Sequence, residues 1–120
     1  MKENPRAAMA YVAIRLSSNL QGSSIYDDAQ RAYIRMDGTV TFEHVNIYDY
    51  EQNVRIQGNN NGGTFALYHY GDGHNIELVV NGVEFSGYDY GEGNRFTGTV
   101  SGNSAQIYDF ATGSYHNYSL

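Results

Sequence analysis

Aromatic side chains offer the most chemistry in this chain, since 12 of its 120 residues are tyrosine and 5 are phenylalanine. A tyrosine presents a flat apolar ring with a polar hydroxyl, and it loses little side-chain entropy when a ligand orders it. Flanked by Asp, Asn and Arg, a row of such rings predicts a surface that stacks on sugar rings or contacts a partner protein. The candidate binding residues are Tyr48, Tyr50, Tyr68, Tyr70, Tyr88, Tyr90, Arg95 and Tyr108.

The alternative for these tyrosines is structural. Aromatic residues favour β-strands, so the same rings also fit half-buried strand positions or contacts between subunits.

Metal chemistry has weaker support. The turns 70–75 and 90–94 carry Gly, Asp, Glu and Asn, whose oxygens suit calcium, but neither has the spaced acids of a dedicated calcium loop. Tight-turn preferences explain the same composition. The four histidines, at 44, 69, 74 and 116, do not have zinc-ligand spacing, and His69 fits a polar residue facing the core or a turn. We therefore expect no metal site and no cofactor.

Catalytic motifs are not apparent either. The chain has no cysteine, no Gly-x-Ser-x-Gly segment and no glycine-rich phosphate loop followed by a helix. Acids such as Glu84 and Glu92 are not paired with a second carboxylate at a predicted cleft. We expect a protein that is not an enzyme.

The residues beyond position 21 form an internal repeat with a period of twenty residues. Its glycines recur in the same register, and so do the apolar residues Val45, Phe65, Phe85 and Ala105. The aromatic pairs align as Tyr48-Asp49-Tyr50, Tyr68-His69-Tyr70, Tyr88-Asp89-Tyr90 and Tyr108-Asp109-Phe110. The first copy is degenerate, with Ile25-Tyr26-Asp27 two places early. A fixed period of this length indicates repeated hairpins or the coils of a solenoid.

Turn chemistry favours hairpins. Asn81-Gly82 is a strong signal for a two-residue type I′ turn, which pairs Val80 with Val83, Leu78 with Phe85 and Ile76 with Gly87. A similar turn at Ser101-Gly102 pairs Phe96 with Ile107 and places Tyr108 opposite Arg95 for a cation–π contact. Asp37-Gly38 is a further candidate turn.

The predicted fold is therefore mostly β, an antiparallel up-and-down meander (a sheet or a barrel) of hairpin repeats with one N-terminal amphipathic helix. The alternative is a β-solenoid with a helical cap. The predicted strands lie near 31–36, 39–50, 53–58, 64–70, 75–80, 83–90, 94–100, 104–110 and 114–120.

Alternation divides the side chains between two faces of the sheet. Aliphatic residues such as Leu67, Leu78 and Ile107 face the core, and the aromatic pairs face outward. Asp49, Asp89 and Asp109 then point inward near the strand ends, where we expect them to accept hydrogen bonds from the amides of the following turn.

The N-terminal segment 1–22 is predicted to be a helix. Asn4 is a suitable N-cap, Pro5 a tolerated first-turn residue and Gly22 a C-terminal stop. One apolar stripe follows the helical period, at Met9, Val12, Ala13, Leu16 and Leu20. A strand is the competing interpretation, since Ala10, Val12, Ile14 and Leu16 also alternate. We expect this helix to pack on, or between subunits of, a single β-repeat domain at 23–120.

Charge is unevenly distributed along the chain. The formal net charge is −6, which argues against nucleic-acid binding, yet the first 35 residues carry a net positive charge. A basic head and an acidic body attract each other within one chain or between chains, and the second case favours self-assembly. The start of the chain lacks the apolar core of a secretory signal, and no segment is long enough to span a membrane. The cytoplasm, or a surface or extracellular location reached by a non-classical route, both fit.

One unit of the repeat resembles a known family. The segment 87–98, Gly-Tyr-Asp-Tyr-Gly-Glu-Gly-Asn-Arg-Phe-Thr-Gly, is similar to the unit of YD-repeat (Rhs-type) proteins, in which Tyr-Asp precedes a turn glycine, an Arg and an apolar residue. Tyr108-Asp109 lacks the Arg, and Tyr68-His69 lacks the Asp. Those families build shells from very long arrays, whereas we expect four or five units to enclose nothing. The resemblance covers about a dozen residues per unit, and we assign no family from it.

Two functions remain from the sequence. The first is self-assembly or partner binding through the Tyr- and Asp-rich face, as a subunit of a homo-oligomer or filament. The second is carbohydrate binding by a lectin-like module.

Overall fold

The computed structural model describes residues 1–120 and consists of one helix and ten antiparallel strands that close into a barrel. The helix α1 spans Glu3–Ser18. The strands are β1 Ser24–Asp27, β2 Ala32–Val40, β3 His44–Asp49, β4 Val54–Asn61, β5 Thr64–His69, β6 His74–Asn81, β7 Glu84–Asp89, β8 Asn94–Ser101, β9 Ser104–Asp109 and β10 Ser114–Ser119.

Each strand pairs with its neighbours in sequence, and β1 pairs with β10 to complete the circle. The up-and-down meander is therefore confirmed, and its closed form is a barrel rather than an open sheet or a solenoid. The degenerate first copy of the repeat, at 25–27, forms β1, which the sequence did not predict as a strand. The chain thus has ten strands where nine were predicted.

The hairpin turns lie one residue later than predicted. Gly82 and Val83 form the turn, so Val80 pairs with Phe85, and Leu78 pairs with Gly87. The predicted pairing was wrong by two positions, and the same shift applies to the turn after Ser101. Because side chains alternate with a period of two, a shift of two leaves every residue on its predicted face.

Asp37-Gly38 does not form a turn. Gly38 lies inside β2 with φ of 141°, and the chain reverses direction at 41–43 instead. The predicted strands 31–36 and 39–50 are instead β2, which continues through Gly38 to Val40, and β3, which begins at His44.

The helix lies in the lumen of the barrel. Every residue from Ala7 to Ile14 has no exposed surface, so the helix is buried on all sides. The predicted single stripe with a solvent-facing side was wrong, and Leu20 lies beyond the helix and is exposed. The helix packs inside its own chain, where we expected it on the sheet or between subunits.

The ends of the helix also differ from expectation. Lys2, not Asn4, precedes the first turn and provides no side-chain cap. The helix stops at Asn19, whose φ of 52° is left-handed, before Gly22 is reached. Two serines attach its last turn to the barrel, since Ser17 Oγ donates to the Gly82 carbonyl and Ser18 Oγ to the Gly102 carbonyl. No helix of the chain combines the length and hydrophobicity that a membrane span requires.

Small side chains make room for the helix. On the helix these are Ala7, Ala8, Ala10 and Ala13, and on the barrel they are glycines in the middle of the strands. In each of the four long hairpins, two residues that face the lumen are paired across the strands, and one of them is glycine while the other is a large aliphatic residue. The four pairs are Gly38–Ile47, Gly58–Leu67, Leu78–Gly87 and Gly98–Ile107.

Candidate functional site

The outer surface of the barrel carries a ring of aromatic side chains near the end where the four-residue turns lie. We call it the aromatic belt. Its members form six edge-to-face pairs with ring centroids 4.7 to 4.9 Å apart. They are Tyr26, Tyr33, Tyr48, Tyr50, Tyr68, Tyr70, Tyr88, Tyr90, Tyr108, Phe110 and Tyr115.

The belt contains two kinds of ring. In three of the Tyr-x-aromatic pairs the first ring is half-buried (Tyr48, Tyr88 and Tyr108), while the second ring stands more open. The exposed fractions are 58% for Tyr70, 53% for Tyr90, 49% for Phe110 and 45% for Tyr50. The first rings thus support the second ones through edge-to-face contacts, which are worth about 0.5–1.5 kcal/mol each. The open rings are available to a ligand.

Arginines lie over several rings of the belt. The Arg35 guanidinium is 4.8 Å from the Tyr50 centroid, and that of Arg55 is 5.6 Å from the Tyr48 centroid. Arg95 is opposite Tyr88 in the strand register, and its guanidinium is 5.6 Å from the Phe110 centroid. The predicted placement of Tyr108 opposite Arg95 was wrong, because the later turn moves Tyr108 opposite Thr97.

Rows of three side chains cross the belt at right angles to the strands. In two of them a carboxylate and an arginine flank a tyrosine: Asp37–Tyr48–Arg55 and Glu77–Tyr88–Arg95. We call these the charged rows. The other two rows of the same kind have no charge: Gln57–Tyr68–Asn75 and Thr97–Tyr108–Tyr115.

Each charged row lies in a shallow groove on the outer surface. The first groove is lined by Asp37, Asn46, Tyr48, Tyr50, Asn53 and Arg55, together with Gly38. The second is lined by Glu77, Ser86, Tyr88, Tyr90 and Arg95, together with Val79 and Gly87. Five of these positions correspond after a shift of forty residues, or two repeats.

The grooves hold their polar groups through few internal bonds. In the first, Arg55 Nη1 donates to Asn46 Oδ1 at 2.5 Å. In the second, the Tyr90 hydroxyl donates to Glu77 Oε1 at 2.7 Å, and this hydrogen bond raises the pKa of Tyr90. Asp37 Oδ1 also accepts the Gly38 amide at 2.8 Å.

Inside the barrel, beneath the belt, buried side chains fix the four-residue turns. Asp27, Asp49, Asp89 and Asp109 end their strands, and each accepts one or two amides of the next turn through Oδ1. This confirms the expectation for the last three residues. Buried carboxylates thus cap four of the five turns at this end of the barrel.

A buried ion cluster attaches the start of the chain to this ring. Asp109 Oδ2 lies 3.0 Å from Arg6 Nη1 and 2.9 Å from the Met1 ammonium, and Arg6 Nε donates to the Tyr118 hydroxyl at 2.8 Å. Burial acts to raise the pKa of Asp109, but the ammonium, the Ala111 amide and Arg6 outweigh it and lower that pKa. Burial raises the pKa of Tyr118 to about 12.

The attraction between basic head and acidic body therefore acts within the chain. Lys2 Nζ also lies 3.3 Å from Asp72 Oδ1, and Arg15 Nη1 donates to the Gly38 carbonyl. The four positive groups of α1 and of the two residues before it, at Met1, Lys2, Arg6 and Arg15, all have partners within the same chain.

His69 occupies the capping position that Asp holds elsewhere. Its Nδ1 accepts the Asp72 amide at 3.0 Å, its ring stacks on His74 with centroids 5.6 Å apart, and its Nε2 has no partner. Burial lowers the pKa of His69. His74 Nε2 lies 2.9 Å from Asp89 Oδ1. No three His, Asp or Glu side chains of the chain converge in an arrangement that could hold a metal ion.

The sequence placed all eight candidate residues correctly on the outer face, but it missed others. Arg55 lies forty residues before Arg95 and Tyr115 twenty after it, so the repeat itself was the signal that could have found both. Asp37 and Glu77 were missed because their position opposite a tyrosine depends on the turn register. Tyr26 was missed because β1 was not predicted, and the edge-to-face pair that it forms with Tyr33 was missed with it.

Comparison with protein-family models, with curated proteins and with solved structures finds no match for this chain. Its functional surface is therefore interpreted from its own geometry.

Proposed function

We propose that this protein is a non-enzymatic binding module that acts through the aromatic belt, toward a carbohydrate or a protein partner, including a second copy of the chain. The observation that carries this proposal is the exposure of the outer belt rings beside a lumen filled by α1. No cavity is lined by residues 7–16, so the ligand site of this proposal lies on the outside of the barrel.

Carbohydrate binding is favoured by the chemistry around the rings. Sugar rings have apolar faces that stack on aromatic residues, and their hydroxyls both donate and accept hydrogen bonds. The grooves of the belt combine exposed tyrosines with carboxylate, amide and guanidinium groups. Each of these groups matches one kind of hydroxyl contact.

Of the features that favoured self-assembly in the sequence, the aromatic belt is the one that remains available between chains. Closure of the barrel removes free strand edges, and the basic groups of α1 are paired within the chain. Association is favoured by the exposed aromatic rings around the barrel, since exposed apolar surface of this kind marks interaction sites. Deleting the basic N-terminal residues 1–21 does not test assembly, because these residues include the helix that fills the core and the barrel would not fold without it.

The test uses a belt variant with Tyr50→Ser, Tyr70→Ser, Tyr90→Ser and Phe110→Ser, which removes open rings and keeps the half-buried ones. The matched control carries Phe42→Ser and Val83→Ser, two exposed apolar residues at the opposite end of the barrel. Light scattering over a range of concentrations measures self-association, and a glycan array measures carbohydrate binding.

We expect the wild type and the control to associate or to bind glycans, and the belt variant to do neither while its circular dichroism spectrum is unchanged. The proposal is wrong if the wild type is a monomer without glycan binding, or if the folded belt variant behaves as the wild type does.

A further inference from the structure

The two charged rows point to a pair of equivalent ligand sites. Beyond residue 36 the chain has only two basic residues, Arg55 and Arg95, and both lie in the grooves described above. The same register position holds Asn75 and Tyr115 in the uncharged rows. Every positive charge of the acidic body is thus at one kind of place, beside a tyrosine with a carboxylate on its other side.

We propose that each groove binds one neutral sugar ring, so that one chain carries two carbohydrate sites. This rests on the proposed function of the belt and names its ligand class and its number of sites.

The row dimensions fit such a ligand. Adjacent strands are about 4.8 Å apart, so the carboxylate and the guanidinium start about 10 Å apart with the tyrosine between them. A sugar ring stacked on the open ring beside that row meets a hydrogen-bond acceptor on one side and a donor fork on the other. Because the row has no net charge, an anionic or cationic ligand would meet a repelling group at one end. A neutral polyol satisfies both ends.

The open ring of each groove supplies the stacking face. Tyr50 and Tyr90 are 45% and 53% exposed, and each is braced edge-to-face by the half-buried tyrosine two residues earlier. The grooves differ in one respect: Arg35 covers a face of Tyr50, whereas the Tyr90 hydroxyl is held by Glu77. We therefore expect similar but unequal affinities.

The two sites face different directions. The first row crosses β2, β3 and β4, and the second crosses β6, β7 and β8. The central strands of the two rows, β3 and β7, are four steps apart in a ten-stranded barrel, which corresponds to a rotation of about 140° around the barrel axis. A short oligosaccharide cannot reach both sites at once. One chain would instead bind two glycan molecules and cross-link a surface that displays many.

The experiment titrates the full chain with maltohexaose, cellohexaose and xylohexaose as separate probes. Isothermal titration calorimetry gives the stoichiometry, and amide chemical shifts locate the sites. We expect two sites per chain for at least one probe. Arg55→Met and Arg95→Met should each weaken binding at their own groove by about tenfold or more, since each removes a charged donor.

The uncharged row provides the matched control and a gain-of-function variant. Asn75→Met, at the same register outside the grooves, should leave both sites unchanged. Gln57→Glu combined with Asn75→Arg converts the row around Tyr68 into a third charged row, and we expect it to raise the stoichiometry to three.

Each outcome bears on one proposal or the other. Sugar binding that disappears in the belt variant but is indifferent to Arg55→Met and Arg95→Met overturns the paired grooves and leaves the belt as the binding surface. A single site, or no binding of any probe, also overturns the inference, and self-association measured by light scattering then decides whether the belt binds anything. Two sites that both respond to their own arginine support it.

Discussion

At the scale of single residues, position 69 is the place where the ring of turn-capping aspartates is interrupted. His69 is 1% exposed and accepts the Asp72 amide through Nδ1, so its proton lies on Nε2, which finds no partner. An unpaired buried donor is costly, and a second proton on this ring is more costly still. His69 therefore lowers the stability of the fold, and it also places in the core a side chain whose charge changes near neutral pH.

The prediction for His69 concerns the pH dependence of folding. Burial lowers its pKa in the folded protein, whereas the unfolded chain protonates near the ordinary value of 6.5. The unfolded state therefore binds more protons below about pH 7, and the free energy of unfolding decreases as pH falls from there, by at most about 1.4 kcal/mol per pH unit for one group. Asn keeps an oxygen that accepts the Asp72 amide, so His69→Asn should flatten this decrease between about pH 7.5 and 5.5.

Urea unfolding at several pH values measures the effect. His116, whose pKa burial and Arg6 also lower, contributes in the same direction and remains in the variant, so the slope should diminish rather than vanish. His44, which is only partly buried, provides the control, and His44→Asn should keep the wild-type slope. Equal slopes for His69→Asn and the wild type would contradict the prediction.

At the scale of elements, the strands could be predicted from sequence more completely than the helix. The period of twenty and the Gly-containing turns specified nine of the ten strands and their faces, because alternation survives an error of two in register. The turn position itself could not be specified, since Asn81-Gly82 and Gly82-Val83 both place a glycine where positive φ is required. The belt residues could be predicted because they depend only on which face of the sheet a side chain occupies. The charged rows could not be predicted, because they depend on the strand register.

The position of the helix depended on information that the sequence pattern does not contain. A stripe at Met9, Val12 and Leu16 is visible in any helix with one apolar side, but the small residues on the other sides are equally buried. From the sequence, Ala7, Ala8 and Ala10 are equally compatible with an exposed helix surface. They are buried because the barrel closes around the helix and surrounds it with glycine and aliphatic side chains.

Two phenylalanines interlock with two glycines across β7 and β8. Phe85 is opposite Gly98, and Phe96 is opposite Gly87. A Cβ added at Gly98 would lie 2.2 Å from the Phe85 ring, whereas one added at Gly58 would lie 1.9 Å from the backbone oxygen of Ala66. The first collision involves a side chain and the second the backbone of the neighbouring strand.

This difference predicts which glycine substitution can be repaired. Gly98→Ala should lower the free energy of unfolding by about 1–3 kcal/mol through overpacking, and adding Phe85→Leu should cost less than the two single effects combined. Gly58→Ala should lose at least as much, and Phe65→Leu should not recover it, because the obstacle is a carbonyl. Urea unfolding of the single and double variants measures both couplings; strict additivity of Gly98→Ala with Phe85→Leu would contradict the interlock.

At the scale of the whole molecule, closure of the barrel depends on its shortest pair of strands. β1 and β10 share two partner pairs, Tyr26 with Ser119 and Asp27 with Tyr118, whereas the other neighbouring strands share four to six. Every other pair of neighbouring strands is consecutive in sequence and is joined by a turn. At this seam the two strands come from opposite ends of the β-domain. Local opening should therefore begin there.

Native-state hydrogen exchange tests this on a matched pair of amides. The Asp28 amide donates to the Asn117 carbonyl across the seam at 3.0 Å, and the Tyr90 amide donates to the Asn75 carbonyl across β6 and β7 at the same distance. Both follow a capping aspartate, at equivalent places in the repeat. We expect Asp28 to exchange at least about tenfold faster after correction for intrinsic rates, which is about 1.4 kcal/mol in opening free energy. Equal protection of the two amides would mean that the seam opens only when the whole barrel unfolds, with the buried Arg6–Tyr118 hydrogen bond holding β10 as firmly as a hairpin turn would.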